Sequence, residues 1–332
     1  MNLRKLQFGK AMSAALFVLL LVVAGTKNAL AQTQVATLQH GEEISVFYGQ
    51  NAFVEAHAAA ETGDIITLSS GTFLPTAITK AITLRGAGCA IDTVANTPPT
   101  NFGGTIVFGV DDTDNKLTIE GILFNNSVSV RCHLHSPKLT RCNFENFQVY
   151  NVSFSMSDAQ FNNCIIDKFI FNYTQNTVLI NSVVWDAYNN NQSIVLYNSI
   201  MRGAYNNISA YNSIIIESEL SSSYCSFTNC IGVSNSSTPF GQGYVSGCIA
   251  YESYTDVFET FNGTFDMGET FILKDEIATG FLGNDGTEVG IHGGFMPYSN
   301  RPTYMVLKRC NVANKSTIDG KLSVDIEVVT EE

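Results

Sequence analysis

The sequence predicts an all-β chain wound into a single-stranded right-handed parallel β-helix, with a short N-terminal capping helix and a C-terminal capping strand region. Three observations predict it. One motif recurs through the middle of the chain. Asn returns at one fixed position of that motif. Apolar and polar residues alternate on either side of it. Units this short cannot bury an apolar face alone, so they must stack as a solenoid.

The elements follow in chain order. Arg4, Lys5 and Lys10 precede the apolar run Ala11 to Ala24, and Ala29-Leu30-Ala31 offers small residues at a cleavage site. This reads as a secretory signal over 1–31, cleaved before Gln32, with an uncleaved anchor as the alternative. No later apolar stretch is long enough to span a bilayer. The β-helix with its N-terminal cap is expected over 32–275. Asn51 to Thr62 is rich in Ala and reads as the helix, ended by Gly63-Asp64. Ile65-Ile66-Thr67-Leu68 then begins the sheet. Such a helix covers the open end of the first coil, where unpaired backbone would recruit another chain.

The repeat itself reads Phe161-Asn162-Asn163-Cys164-Ile165, Leu179-Ile180-Asn181-Ser182-Val183, Leu196-Tyr197-Asn198-Ser199-Ile200, Ala210-Tyr211-Asn212-Ser213-Ile214 and Phe227-Thr228-Asn229-Cys230-Ile231. Weaker copies lie at Leu139-Thr140-Arg141-Cys142 and Val245-Ser246-Gly247-Cys248, and the Cys/Ser positions are 14 to 22 residues apart. Stacking would place Asn163, Asn181, Asn198, Asn212 and Asn229 in a ladder about 4.8 Å per rung. Asn suits a corner because it tolerates left-handed backbone. Interchange of Cys and Ser in the next position points to small side chains rather than to disulfides, although Cys142/Cys164 and Cys230/Cys248 would be near enough to oxidise. Residues 276–332 read as C-terminal loops and a capping strand. Gly280 to Gly294 is glycine-rich, and Lys321-Leu322-Ser323-Val324-Asp325-Ile326-Glu327-Val328 alternates as a half-buried strand.

Charge narrows the partners. The formal net charge is −12, and loss of Arg4, Lys5, Lys10 and Lys27 with the signal makes it four units more negative. Nucleic acid and anionic membranes are disfavoured, because phosphate binding needs clustered Lys and Arg, and so are polyanionic sugars unless calcium bridges the like charges. A soluble monomer is expected after export, in the periplasm, at the cell surface or outside the cell. The eight Cys are compatible with disulfides in an oxidising compartment, but a chain this long does not need them. No pair has zinc-site spacing.

Gly63-Asp64-Ile65-Ile66-Thr67-Leu68-Ser69-Ser70-Gly71-Thr72-Phe73, followed by Ile82-Thr83-Leu84-Arg85-Gly86-Ala87-Gly88, resembles the opening of pectin-lyase-like right-handed β-helix proteins. Gly286-Thr287-Glu288-Val289-Gly290-Ile291-His292-Gly293-Gly294 is similar to the closing segment of exported β-helix proteins of Gram-negative bacteria that are mostly uncharacterised. The resemblance spans nearly the whole chain after the signal. It implies the fold and leaves activity open, since this scaffold hosts enzymes, adhesins and passive spikes.

Three sets of residues are candidates for a site. Asp111, Asp112 and Asp114 sit between two apolar runs, where the alternatives are a calcium site and a solvated turn. Calcium is the one candidate ion, and no cofactor motif is present. Arg131, His133 and His135 alternate with the apolar Cys132 and Leu134, and Lys138 and Arg141 follow. In a strand the first three face outward together. They form a basic stripe suited to a carboxylate or sulfate, to proton transfer, or to a metal held by the two His; the alternative is an ordinary exposed face. Tyr188 and Tyr205, beside Asn-rich turns, are candidates for stacking on sugar rings, as are Tyr150, Trp185, Tyr197 and Tyr211. Pectate-lyase chemistry needs a cation for the uronate and a base beside it. Polygalacturonase-like and esterase patterns are not found in order. The sequence thus favours a non-catalytic exported protein that binds a polysaccharide or cell-surface glycan, or makes adhesin-like contacts. The alternatives are a polysaccharide lyase or glycoside hydrolase, and a purely structural surface protein.

Overall fold

A computed structural model of the chain describes residues 34–92, 97–110, 116–149, 151–188, 193–204, 206–218, 224–234, 239–299, 305–312 and 324–330. The expected signal over 1–31 lies outside these residues, as do Asp111, Asp112, Asp114, Tyr150 and Tyr205.

The chain is a β-solenoid of about nine turns. Each turn contributes a short strand to a first sheet and another to a second. The first sheet runs Glu43–Tyr48, Val35–His40, Ile65–Leu68, Thr83–Arg85, Thr118–Glu120, Lys138–Thr140, Gln160–Asn162, Thr177–Ile180, Ile194–Tyr197, Ile208–Tyr211, Ser226–Thr228, Tyr244–Ser246. The second sheet starts at Gly71–Phe73 and Thr100–Phe102 and passes through Leu123–Val130, Asn143–Gln148, Ile165–Ile170, Val183–Tyr188, Ile200–Ala204, Ile214–Ser218 and Ile231–Val233 to Ile249–Tyr251; Ile106–Phe108 also pairs with Leu123–Val130. A third, three-stranded sheet of His133–His135, Ser155–Ser157 and Thr174–Gln175 closes one side of the middle turns. Pairing from turn to turn is parallel; in the first sheet Leu139 lies beside Phe161, Phe161 beside Leu179 and Leu179 beside Leu196, while the second sheet shifts register after Phe144, Val184 and Arg202.

That register builds the core. Period-two alternation sends Ile66, Leu84, Ile119, Leu139, Phe161 and Leu179 inward from the first sheet, all buried. Phe124, Phe144, Phe147 and Phe169 meet them from the second. Phe124 and Phe144, one turn apart, stack with centroids 4.8 Å apart and planes 3° apart, the strand spacing expressed in side chains.

The Asn ladder stands at the corner between the sheets. Asn163, Asn181, Asn198, Asn212 and Asn229 have φ between +46° and +54°, and Arg141 occupies the equivalent position at +50°. Beside them the Cys/Ser ladder is hydrogen-bonded from turn to turn. The Ser182 hydroxyl accepts from the Cys164 N–H at 3.0 Å, Ser199 from Ser182 at 3.2 Å and Ser213 from Ser199 at 3.1 Å. Each of these hydroxyls also donates to the carbonyl two residues before it. Small side chains are therefore required, and so is a polar atom. Cys89, Cys132, Cys142, Cys164, Cys225, Cys230 and Cys248 are free thiols.

The ends depart from the repeat. The capping helix, α1, is Ala52–Ala59. It buries Ala52, Phe53, Ala56 and His57 over the first turn, with Phe53 4.9 Å from the Phe102 ring. Three last-turn carbonyls, of His57, Ala58 and Ala60, accept from the Lys80 ammonium at 2.8, 3.0 and 2.6 Å. Ahead of the helix, Val35–His40 and Glu43–Tyr48 form an antiparallel hairpin that extends the first sheet, a pair the sequence reading did not anticipate.

After Tyr251 the chain reverses along the outside of the second sheet. Phe258, Phe261, Phe271, Leu273, Val289 and Ile291 cover the outward Ile165, Val183, Ile200, Ile214 and Ile231 in a second apolar cluster. The glycine-rich segment then lies on the Asn ladder. Asn229 donates to the Asn284 side chain, and the Asn212 side chain accepts the Asn284 N–H. Asn198 donates to the Glu288 carbonyl, and Asn181 to the Ile291 and Gly293 carbonyls. Finally the Asn163 side chain accepts the Ser299 N–H. Glycine is needed at 293 for space, since an added Cβ would lie 1.6 Å from the Glu288 carbonyl oxygen. A strand at Val324–Thr330, overlapping the one expected over Lys321–Val328, pairs antiparallel with Met305–Val312 in a sheet of its own and adds no strand to the β-helix sheets.

Candidate functional site

Where the long strand Leu123–Val130 leaves the second sheet, the chain turns a corner into the third. Val130, Cys132 and Leu134 are buried, while Arg131 and His133 are exposed, as alternation requires. Arg131 stands at the rim of a cleft of about 270 Å³ lined by Ser129, Val130, Arg131, Gln148, Asn151 and Phe154. Register brings Gln148 beside Ser129 from the next turn. Asn151 and Phe154 join the cleft from the turn at 151–154. The Asn151 carboxamide oxygen accepts the Ser153 N–H at 2.9 Å and the Asn151 carbonyl accepts the Phe154 N–H at 3.0 Å, which sets that turn. The cleft thus gathers an arginine, a serine, a glutamine, an asparagine and a phenylalanine around Val130, and none of its six lining residues is a carboxylate.

His133 and His135 lie next to it on the third sheet. Each ring is fixed by a rung of the following turn: His133 Nδ1 is 2.9 Å from the Ser155 hydroxyl, and His135 Nδ1 is 2.9 Å from that of Ser157. In both rings Nε2 is the nitrogen not used by this bond. No group of three or more His, Cys, Asp or Glu side chains suited to a metal is assembled among the described residues.

Lys138 and Arg141 stand apart from Arg131, His133 and His135. Left-handed backbone at Ser136 (φ +47°), followed by Pro137, turns the chain again, so exposed Lys138 belongs to the first sheet. Arg141 lies beyond that strand at the Asn-ladder corner, largely buried, with Nη1 3.4 Å from Glu120 Oε1 of the preceding turn. It ties coils together and does not face the cleft. The physical reason is the short coil: the 11 residues from Arg131 to Arg141 pass through the corners at Ser136 and Arg141, which turn Lys138 and Arg141 away from Arg131.

The aromatic candidates divide as well. Tyr188 is half-exposed at the end of its strand. Tyr197 and Tyr211, on successive turns of the first sheet, stack with centroids 5.2 Å apart and planes 15° apart, and Tyr197 is 43% exposed. Trp185, by contrast, is buried by the returning chain. It stacks on Phe265 at 5.0 Å and has the Arg202 guanidinium 5.0 Å from its ring centre. It faces the protein and offers no surface to a sugar.

The cleft residues Ser129, Gln148, Asn151 and Phe154 had no signal in the sequence, because they converge from two turns and a loop. Asp167, on the outer side of the second sheet, is another addition. Burial pushes its carboxyl above the usual carboxylate range; Lys168 opposes this, and Asp186 and Glu145 reinforce it. Compared with known proteins, the chain matches no family model and no curated protein at a significant level.

Proposed function

We propose that this is an exported, non-catalytic β-helix protein that binds a glycan, and that a carboxylate- or sulfate-bearing sugar unit is held in the cleft at Arg131. The observation that carries the reading is the convergence of Arg131, Ser129, Gln148, Asn151 and Phe154 on one cleft. Guanidinium pairs with planar or branched oxyanions in a forked geometry, carboxamides and hydroxyls match sugar hydroxyls, and an aromatic face packs on a pyranose ring. The size fits. Pockets for drug-sized ligands usually measure about 300–1,000 Å³, so a cleft of about 270 Å³ suits one sugar unit of a longer chain. The net charge of −12 repels polyanions at long range, so selectivity rests on the short-range fork at Arg131.

The test is a panel of neutral, uronate-bearing and sulfated glycans presented to the purified chain, with and without calcium, and read for both binding and products. Binding of an acidic glycan that falls roughly tenfold to a hundredfold in Arg131→Ala is expected, from the loss of a charged hydrogen bond. Equal retention of neutral glycans, or binding unaffected by the substitution, would overturn the assignment of the cleft.

A further inference from the structure

Cysteine follows cysteine at two places in the Cys/Ser ladder, Cys142/Cys164 and Cys230/Cys248. In both pairs the neighbouring residues are in register on parallel strands, Asn143 beside Ile165 and Ile231 beside Ile249. In-register neighbours lie about 4.8 Å apart, inside the range of about 4.4–6.8 Å that a disulfide spans. The two pairs differ in everything else. Cys142 and Cys164 are fully buried with a turn stacked on each side. Cys230 is fully buried too, but Cys248 belongs to the last turn, whose strands Tyr244–Ser246 and Ile249–Tyr251 end the first and second sheets. Among the described residues no further turn covers it, and Cys248 is partly exposed. The Cys248 sulfur also accepts the Cys230 N–H at 3.2 Å, so a thiolate there has a donor already in place.

We infer that Cys248 is a thiol–disulfide exchange site, that Cys230 is its resolving partner, and that the oxidant it takes is a small-molecule disulfide. The Cys248 thiolate attacks one sulfur of the disulfide, forming a mixed disulfide and releasing one small thiolate. Cys230 then loses its proton and attacks the Cys248 sulfur, forming the Cys230–Cys248 bond and expelling the second small thiolate. One disulfide is reduced to two thiols, and the protein dithiol becomes a disulfide joining the last two turns. Reactivity tracks thiolate character. Hydrogen bonding to Cys230 holds the Cys248 thiol at about 7, whereas burial pushes Cys164 to about 12 and Cys142 well above its ordinary value.

The experiment uses the reduced, full chain with oxidised glutathione at neutral pH, followed by alkylation and peptide mapping. Three outcomes are expected. In the native chain the Cys230 and Cys248 peptides become linked. Cys230→Ser stops at a glutathione adduct on Cys248, and Cys248→Ser gives neither adduct nor link. Cys248 should also alkylate roughly a hundredfold or more faster than Cys142 and Cys164. Serine already fills this ladder position at 182, 199 and 213, so both variants keep the hydroxyl-for-thiol exchange the fold uses elsewhere. A melting curve of each confirms that they fold. Oxidation first at Cys142/Cys164, a Cys230→Ser protein without adduct, or Cys248 alkylating no faster than the buried thiols would each overturn the inference.

Discussion

Asn181→Gly tests how the returning C-terminal segment is held. Asn181 is buried, sits at φ +47° and donates from Nδ2 to the Ile291 carbonyl at 2.8 Å and the Gly293 carbonyl at 2.7 Å. Glycine adopts the same backbone without strain, so the substitution removes the side-chain contacts and leaves the corner intact. The Ile291 carbonyl keeps the Tyr298 N–H at 2.7 Å. Its lost second bond costs about 0.5–1.5 kcal/mol, and the Gly293 carbonyl, which loses its donor, costs about 1–3 kcal/mol. Against this, the buried Asn181 Oδ1 has no hydrogen-bond partner, and its removal returns about 1 kcal/mol. The net is about 0.5–3.5 kcal/mol, acting first on local opening of 284–299. Native-state hydrogen exchange reads this directly. The N–H groups of Gly290 and Tyr298, bonded to the Asn212 and Ile291 carbonyls, should exchange roughly twofold to a few hundredfold faster, while Val184 and Ile215 deep in the solenoid stay protected. Unchanged exchange at Gly290 and Tyr298 would refute the claim that the ladder holds this segment.

Ser199→Cys should cost under about 1 kcal/mol, because thiols already fill the equivalent rungs at 164 and 230, whereas Ser199→Ala should cost about 1–3 kcal/mol by orphaning the Ser182 N–H; denaturant melts of the pair separate them. Lys80→Met removes the donor from three carbonyls at the end of α1 and should speed amide exchange over Ala52–Ala59 with little effect on the middle turns. Burial, reinforced by Lys80, lowers the pKa of His57, whose Nε2 accepts the Thr79 N–H at 3.2 Å. Its neutral form is therefore worth most above the ordinary His value of 6.5, and that stability is lost as pH falls from there through the lowered folded value. His40, raised by its hydrogen bond to Asp64, runs the other way: its contribution is present below 6.5 and lost as pH rises through the raised value. Unfolding midpoints between pH 5 and 8 should lose their acid-side slope in His57→Gln and keep it in His40→Gln.

The winding was legible because register turns a one-dimensional recurrence into stacked neighbours. Asn163, Asn181, Asn198, Asn212 and Asn229 are in phase in the sequence and in the left-handed corner of the fold. What the ladder binds was not legible. Asn181 meets Gly293 across 112 residues through side-chain-to-carbonyl bonds, which need no particular residue at the acceptor. The outward face at Arg131 and His133 followed from alternation with Cys132 and Leu134. Lys138 and Arg141 left it because Ser136-Pro137 is a corner, a signal present in the dipeptide, and because Arg141 already aligned with the Asn position of the repeat. Trp185 carried no mark of burial, since its cover comes from Phe261, Phe265 and Phe271, far downstream.

In a plain solenoid each coil feels only its neighbours, and coils can be gained or lost one at a time with little penalty elsewhere. The segment from Asn284 to Ser299 changes that arithmetic. It reaches from Asn229 to Asn163 with a fixed length of backbone, and its attachment points must coincide with corners about 4.8 Å apart. Insert or delete one coil between them and every later anchor falls a rung out of step. The segment therefore works as a gauge: it counts the turns between Asn163 and Asn229, restricts changes of coil number to the stretches outside that interval, and makes the gauged turns unfold as one block.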